Sequence, residues 1–393
     1  MSKAAEVIDE RSVINLAKRL IKIESVSGDE KKLVRLLGIE LKKAGFNFVK
    51  FDETNYNIVG VKSGTGRGKS LVLAGHLDTV PPGNMTDPFT AKEADGSKFG
   101  VKGKVIKGRG ACDMKGALAA MIIAGQALKR ARVRLKGDFI VIGLANSEAG
   151  DYRGFEDMLT KSDIKPDYIV SGEPTNLDIH IAHPGLAKFE IIARGKMANV
   201  GNPDRGVNAV LKMHKVLSAL LEHTPKVEDD QFGEAEMVVS SICSNPPNNT
   251  HSVPDYCRAL IVRQFFDGEN PKKIEQELIK TLKKQGFTEQ EVQVNLLTAQ
   301  LIAPVSVDQD AEIISILQEV RKAILGKPAN LGVWKSGINL SEYSGTDFPI
   351  VGFGPGNEEC SHSFDEHVPV EQLIQAARVY AALAEKICTT KKE

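Results

Sequence analysis

The chain carries no surplus of charge: 51 basic residues balance 51 acidic ones over 393 positions, for a formal net charge of zero. Such a balance offers nothing particular to a nucleic acid or an anionic membrane surface, and neither is expected as a partner. No uninterrupted apolar run approaches the roughly 18 residues needed to cross a bilayer. The first eleven residues are charged and lack the apolar core of a signal peptide. Cysteine is scarce. Cys112, Cys243, Cys257, Cys360 and Cys388 are odd in number and scattered, with no Cys-x-x-Cys among them. Free thiols in a cytoplasmic protein are expected, and a disulfide framework or zinc knuckle is not. No internal repeat or low-complexity run is evident.

What is present points to a globular protein of two domains. Apolar residues make up 42% and charged residues 26%, and the chain is too long for one ordinary core. Leu71-Val72-Leu73-Ala74-Gly75 reads as a strand buried on both faces, closed by Pro81 and Pro82. His76 and Asp78 then fall just past its C-terminal end, the edge where open α/β sheets bind ligands. An imidazole there can bind a metal through one nitrogen while a carboxylate two residues on holds the other.

Other strands end the same way. Asp138–Ala145 runs into Asn146-Ser147-Glu148, and Asp167–Val170 into Ser171-Gly172-Glu173. Phe348–Gly354 leads towards His362. Residues 83–109 read as a loop excursion with short strands around Phe99 and Val105-Ile106. Asp113 stands at the start of an Ala-rich helical run, 117–131, either as its N-cap or as a carboxylate aimed into the cleft. Helices between strands argue for crossovers and a largely parallel sheet. From residue 185 the order changes to βαββαβ, the ferredoxin-like unit. Residues 185–299 are therefore expected as an insertion, with 1–184 and 300–393 forming the main domain. Trp334, the single tryptophan, is expected to pack between the domains.

His76, Asp113, Glu148, Glu173 and His362 are two imidazoles and three carboxylates, a donor set suited to zinc or a similar divalent ion. Two ions sharing one carboxylate would use all five. On spacing alone, unrelated caps and surface charges remain the alternative.

The chain resembles the zinc aminoacylase and carboxypeptidase family, which includes acetylornithine deacetylase, succinyl-diaminopimelate desuccinylase and carboxypeptidase G. The resemblance rests on Gly75-His76-Leu77-Asp78-Thr79-Val80-Pro81, on Gly108-Arg109-Gly110 through Asp113-Met114-Lys115-Gly116, on Gly172-Glu173-Pro174-Thr175, and on Gly354-Pro355-Gly356 through His362. The insertion matches in Gly206-Val207-Asn208-Ala209 and in the strand Arg258–Arg263. The resemblance implies a mixed, largely parallel sheet with helices on both faces and a lid domain that also makes a homodimer. It implies Asp113 bridging two zinc ions (cobalt or manganese in their place), His76 and Glu173 completing one site, and Glu148 and His362 the other. Asp78 would orient His76. Asn249 and Arg263 would face the cleft where relatives hold a substrate carboxylate. Arg263 reads equally as a surface strand residue. The implied activity is hydrolysis of the amide bond of a small N-acyl amino acid or dipeptide.

Two positions depart from the family pattern. Relatives carry Asp-Glu-Glu where this chain has Asn146-Ser147-Glu148, so Ser147 stands at the general-base position. Relatives also carry a lid His, where this chain has Asn199. A hydroxyl cannot take the proton as a carboxylate does. A base contributes roughly 10²–10⁴-fold and an oxyanion donor about 10²–10³-fold. Losing both costs on the order of 10⁴–10⁷-fold in the ordinary reaction. Three explanations stand: another base, with Asp151, Glu358 and Glu359 as candidates or mere loop charges; a different reaction on the same metal pair; or an inactive relative that binds a ligand. Cys112 and Cys360 invite a thiolate-ligand reading, against which tight packing is the plainer one for Cys112.

Overall fold

Burial along the central strands decides the architecture. In the computed structural model, Leu71 and Leu73 pack into one apolar cluster while Val72 and Ala74 pack into another. Phe139 and Val141 separate from Ile140 and Ile142 in the same way. With side chains alternating across a pleated strand, both faces of this sheet are therefore covered. The structure describes residues 2–52, 55–150, 154–245, 251–338 and 350–392, apart from the side chain of Glu156.

The chain divides into two compact units, 1–182 with 306–334 and 338–393, and 183–305 with 335–337. In the first, a mixed sheet runs in the order 48–51, 58–62, 139–144, 71–76, 168–171, 350–352, 179–183 and 305–306, with 331–333 on 179–183. The four strands 139–144, 71–76, 168–171 and 350–352 are mutually parallel. The helices Glu10–Ile21, Lys31–Ala44, Gly116–Arg130, Glu312–Leu325 and Val370–Thr389 cover one face. The helix Gly154–Lys161 lies on the other, with Phe155 fully buried. Trp334 belongs to that second cluster, and is buried inside the first unit. The stretch Ala111–Arg130 is apolar and long enough to cross a membrane by length and composition, yet 94% of its most apolar 18-residue window is buried in this core.

Register brings the strand ends together. His76 pairs with Leu144, and Ala74 with Ser171. The residues just beyond Leu144 and Ser171 thus emerge beside His76, and they include Glu148 and Glu173. Gly352 pairs with Ser171, which launches the segment towards His362 at the same edge. Of the excursion 83–109, the strands are Lys92–Asp95 and Lys104–Lys107, paired antiparallel, and Phe99 instead ends a single 3-10 turn. The strand His367–Pro369 adds to Lys104–Lys107.

The second unit has its own core. Its four strands, in the order 237–245, 256–265, 185–194 and 292–296, are all antiparallel neighbours. The helices Ala209–His223 and Pro271–Lys284 begin at Asn208 and Asn270, whose side chains accept from the first-turn amides. Sheet order and connectivity are those of a ferredoxin-like unit.

Gly354 is where two site-bearing segments nearly touch. A Cβ there would meet the carbonyl oxygens of Gly172 and Glu173 at 2.2 and 2.3 Å. Gly354→Ala is expected to destabilise the protein by about 1–3 kcal/mol, the usual cost of forcing atoms into a packed interior. Guanidinium unfolding would measure this, and an unchanged midpoint would refute it.

Candidate metal centre

His76 is the last residue of its strand and is buried, with oxygens at both ring nitrogens. Nδ1 lies 2.8 Å from the main-chain oxygen of Asp78, and Nε2 lies 2.7 Å from Oδ1 of Asp113. The sequence reading placed the Asp78 carboxylate on Nδ1. That carboxylate stands 3.8 Å away, and the Asp78 carbonyl takes its place. The Asp78 side chain instead accepts from the main-chain amides of Ser147 (3.1 Å) and Glu148 (2.9 Å) and from the Ser27 hydroxyl (2.6 Å).

Asp113 caps no helix. It lies in the turn Ala111–Lys115, ahead of Gly116–Arg130, and its side chain faces two imidazoles. Oδ1 meets His76, and Oδ2 lies 3.2 Å from Nε2 of His362. That same nitrogen is 2.9 Å from Oε1 of Glu148. Glu173 Oε1 stands 3.9 Å from Nε2 of His76. Donor atoms of His76, Asp113 and Glu148 all lie within 4.8 Å of one another. The structure thus brings His76, Asp113, Glu148, Glu173 and His362 to one place within the first unit.

Electrostatics follow from three carboxylates in a dry pocket. Burial drives the Glu173 carboxyl up to about 8, against the pull of His76 and with help from Asp113 and Glu148. Burial opposes charge on both imidazoles. For His76, Glu173 and Asp113 overcome it and hold its pKa well above the ordinary histidine value. Hydrogen bonds to Asp113 and Glu148 lift His362 to about 10. Asp113 is held well below the usual carboxylate range, its burial outweighed by His76 and His362. Without a metal, the two rings supply the positive charge that this cluster needs. The donor chemistry fits a divalent ion: Nδ1 of His76 is fixed by a carbonyl, so the neutral ring turns its Nε2 lone pair inward to the carboxylates.

Sequence reasoning missed what holds Asp113. The buried Arg109 guanidinium donates to Oε2 of Glu366 at 2.5 Å. Oε1 of Glu366 accepts the amides of Cys112 and Asp113, at 3.2 and 3.3 Å. Arg109 sits inside a quoted motif, but no spacing in the sequence ties it to a partner 257 positions away. Cys112 is buried, its thiol pushed up by burial and by Glu366 and Asp113, so it is no thiolate.

Of the other expected residues, Ser147 is buried, and its hydroxyl has no hydrogen-bond partner among the described residues. Glu358 and Glu359 lie on a short 3-10 turn, Glu359 exposed. Asp151 and Asn249 fall outside the described residues. In the second unit, Asn199 is exposed and accepts from the Gly201 amide. Arg263 is a buried strand residue there, donating to the Gln264 carbonyl and pairing with Glu269 at 3.1 Å.

The model of peptidase family M20/M25/M40 matches residues 72–386. The chain belongs to this family. Among relatives, the Escherichia coli protein YgeY is 28% identical over 381 residues, covering 93% of this chain and 91% of its own. Acetylornithine deacetylase of Myxococcus xanthus is 27% identical over 342 residues, 84% of each chain. The structure of the dipeptidase Dug1p from Saccharomyces cerevisiae superposes over 100% of both chains with a TM-score of 0.81 at 13% identity, a likeness of fold.

Removing Arg109 would strand Glu366 as a buried, unpaired carboxylate. Arg109→Met is expected to cost about 3–5 kcal/mol, the usual penalty for breaking a buried ion pair from one side. The double variant Arg109→Met/Glu366→Gln should recover part of it. Denaturant unfolding of the four proteins checks this, and additive losses would exclude the coupling.

Proposed function

We propose that this chain is a metal-dependent hydrolase acting on the amide bond of a small N-acyl amino acid or dipeptide. The observation that carries the reading is Asp113, whose two carboxylate oxygens each face a different imidazole. Asp113, His76 and Glu173 would hold one divalent ion, and Asp113, Glu148 and His362 a second, zinc being the expected metal. Ions bound there would polarise the amide carbonyl and make water acidic enough to attack near neutral pH. The Asp78 carbonyl keeps the His76 ring in one tautomer and orientation. Asn199 would offer an uncharged donor to the developing oxyanion. Asn249 and Arg263 would hold a substrate carboxylate, Arg263 exchanging Glu269 for it.

A specific observation favours a second reading, a relative that binds its ligand without hydrolysing it. Ser147 stands at the base position, and among the described residues its buried hydroxyl is hydrogen-bonded to no group that could take a proton from it. The scaffold for binding is kept while the proton acceptor is absent from this position.

The homodimer implied by the resemblance has support in the second unit. Its edge strand Met237–Asn245 leaves Val238 and Ile242 more than half exposed, and the helix Ala209–His223 exposes Leu211 and Leu221. An exposed apolar edge strand with such neighbours is a pairing surface. Val238→Lys is expected to shift the protein to monomer in light scattering. A dimer of wild-type strength would remove this support.

The decisive test compares the wild type with Ser147→Glu/Asn199→His, both loaded with zinc, on a panel of N-acyl amino acids and dipeptides. Turnover by the wild type supports the hydrolase. Turnover by the double variant alone supports the binding relative. Metal analysis runs beside it: about two ions per chain are expected, and Asp113→Ala should lose both. A wild type that takes up no divalent ion would overturn both readings of the centre.

A further inference from the structure

Glu30 is fully buried, yet it serves none of the roles its position suggests. It stands at the N-cap of the helix Lys31–Ala44 but makes no side-chain capping bond there. Its Oε1 instead accepts two amides, Gly28 at 3.0 Å and Asn146 at 3.0 Å. Asn146 is the first residue of Asn146-Ser147-Glu148. Its φ of 57° turns the chain through the left-handed region, which Asn tolerates better than most residues.

The next two amides of the same turn are held by Asp78, Ser147 by Oδ1 and Glu148 by Oδ2. Three successive main-chain N–H groups therefore point at oxygens of two buried side chains from distant parts of the chain. The segments bearing them are themselves joined, for the Thr79 amide donates to the Ser25 carbonyl at 2.9 Å and Ser27 Oγ donates to Asp78. Amides held by ionised carboxylates in a dry setting make bonds about twice as strong as neutral ones. Placing two carboxylates together in the interior is costly. Glu30 also leaves its Oε2 buried without a partner among the described residues.

We propose that Glu30 is a positioning residue for Glu148. With Asp78 it clamps the three amides, and so fixes the direction in which the Glu148 carboxylate enters the metal centre. This rests on reading that centre as a two-metal site. The other donors are anchored elsewhere, His76 by the Asp78 carbonyl and Asp113 through Glu366. Loss of Glu30 should therefore weaken one ion, the one shared by Glu148 and His362, and spare the other.

The test uses Glu30→Ala and Glu30→Gln in the full chain, with zinc titrated against a chelator and amide hydrogen exchange followed over residues 145–148. In Glu30→Ala the first ion should bind as in the wild type. The second should weaken by about 10–100-fold, the usual effect of losing a group that orients a ligand. Exchange at Asn146 and Ser147 should quicken. Glu30→Gln keeps an oxygen for both amides, without the charge, and should weaken the second ion clearly less than Glu30→Ala does. The proposal is overturned if Glu30→Ala binds both ions normally, if both weaken alike, or if Glu30→Gln falls as far as Glu30→Ala. A wild type that binds no zinc would sink the two-metal reading by itself. The exchange arm would then still decide whether Glu30 holds the turn, and unchanged exchange would overturn the clamp.

Discussion

One carboxylate between two imidazoles is the interaction on which the site depends. Asp113 lies within hydrogen-bonding distance of Nε2 of both His76 and His362. Around it, Glu148 and Glu173 add two further carboxyl groups, and burial pushes that of Glu173 up towards its protonated form. Such a cluster is stable only with positive charge inside it, whether from imidazolium or from a metal. The rest of the first unit can be understood as the means of holding these groups at close range against that cost. Parallel strands in register bring the segments bearing His76, Glu148, Glu173 and His362 to one edge, and the pair of Arg109 and Glu366 fixes the turn that carries Asp113.

Much of this was legible in the sequence. The apolar runs at 71–75 and 139–144 announced buried strands, and the residues past their ends announced an edge where ligands gather. The order of elements after residue 185 announced a ferredoxin-like unit. The donors were legible because parallel strands share a direction, so the residues that leave each strand must emerge on one side. The features that stayed hidden depend on contacts between segments far apart in the chain. Nothing local in Glu30 distinguishes it from a helix cap, and nothing in Glu366 reveals that it carries two amides of the Asp113 turn. The Asp78 carboxylate was misassigned for a related reason. Spacing of two residues fixes where the backbone runs, and it was the backbone oxygen that met His76.

The two positions read from the sequence as departures from the family pattern, Ser147 and Asn199, differ in their surroundings. Ser147 lies in the most firmly held turn of the site, its amide bound by Asp78 and its neighbours bound on either side. Its side chain changes the chemistry available without disturbing the backbone that presents Glu148. Asn199 lies in the second unit on a short exposed strand, where its side chain accepts from a nearby amide. The second unit builds its core from residues of its own, between Ala187 and Val294.

The hold of Glu366 on the Asp113 turn has a consequence for how the protein is made. Synthesis delivers His76, Asp113, Glu148 and Glu173 first, and domains fold as their segments emerge. Until residues 350–370 leave the ribosome, Asp113 has neither His362 beside it nor Glu366 behind its amides. The strand His367–Pro369 must also close onto Lys104–Lys107 before the turn is backed. The nascent chain thus carries a group of crowded acids with half its counter-charge missing, and its native centre comes together only when the end of the chain folds home. Any ion held by all five side chains would accordingly find its full donor set only after residues 350–370 have emerged.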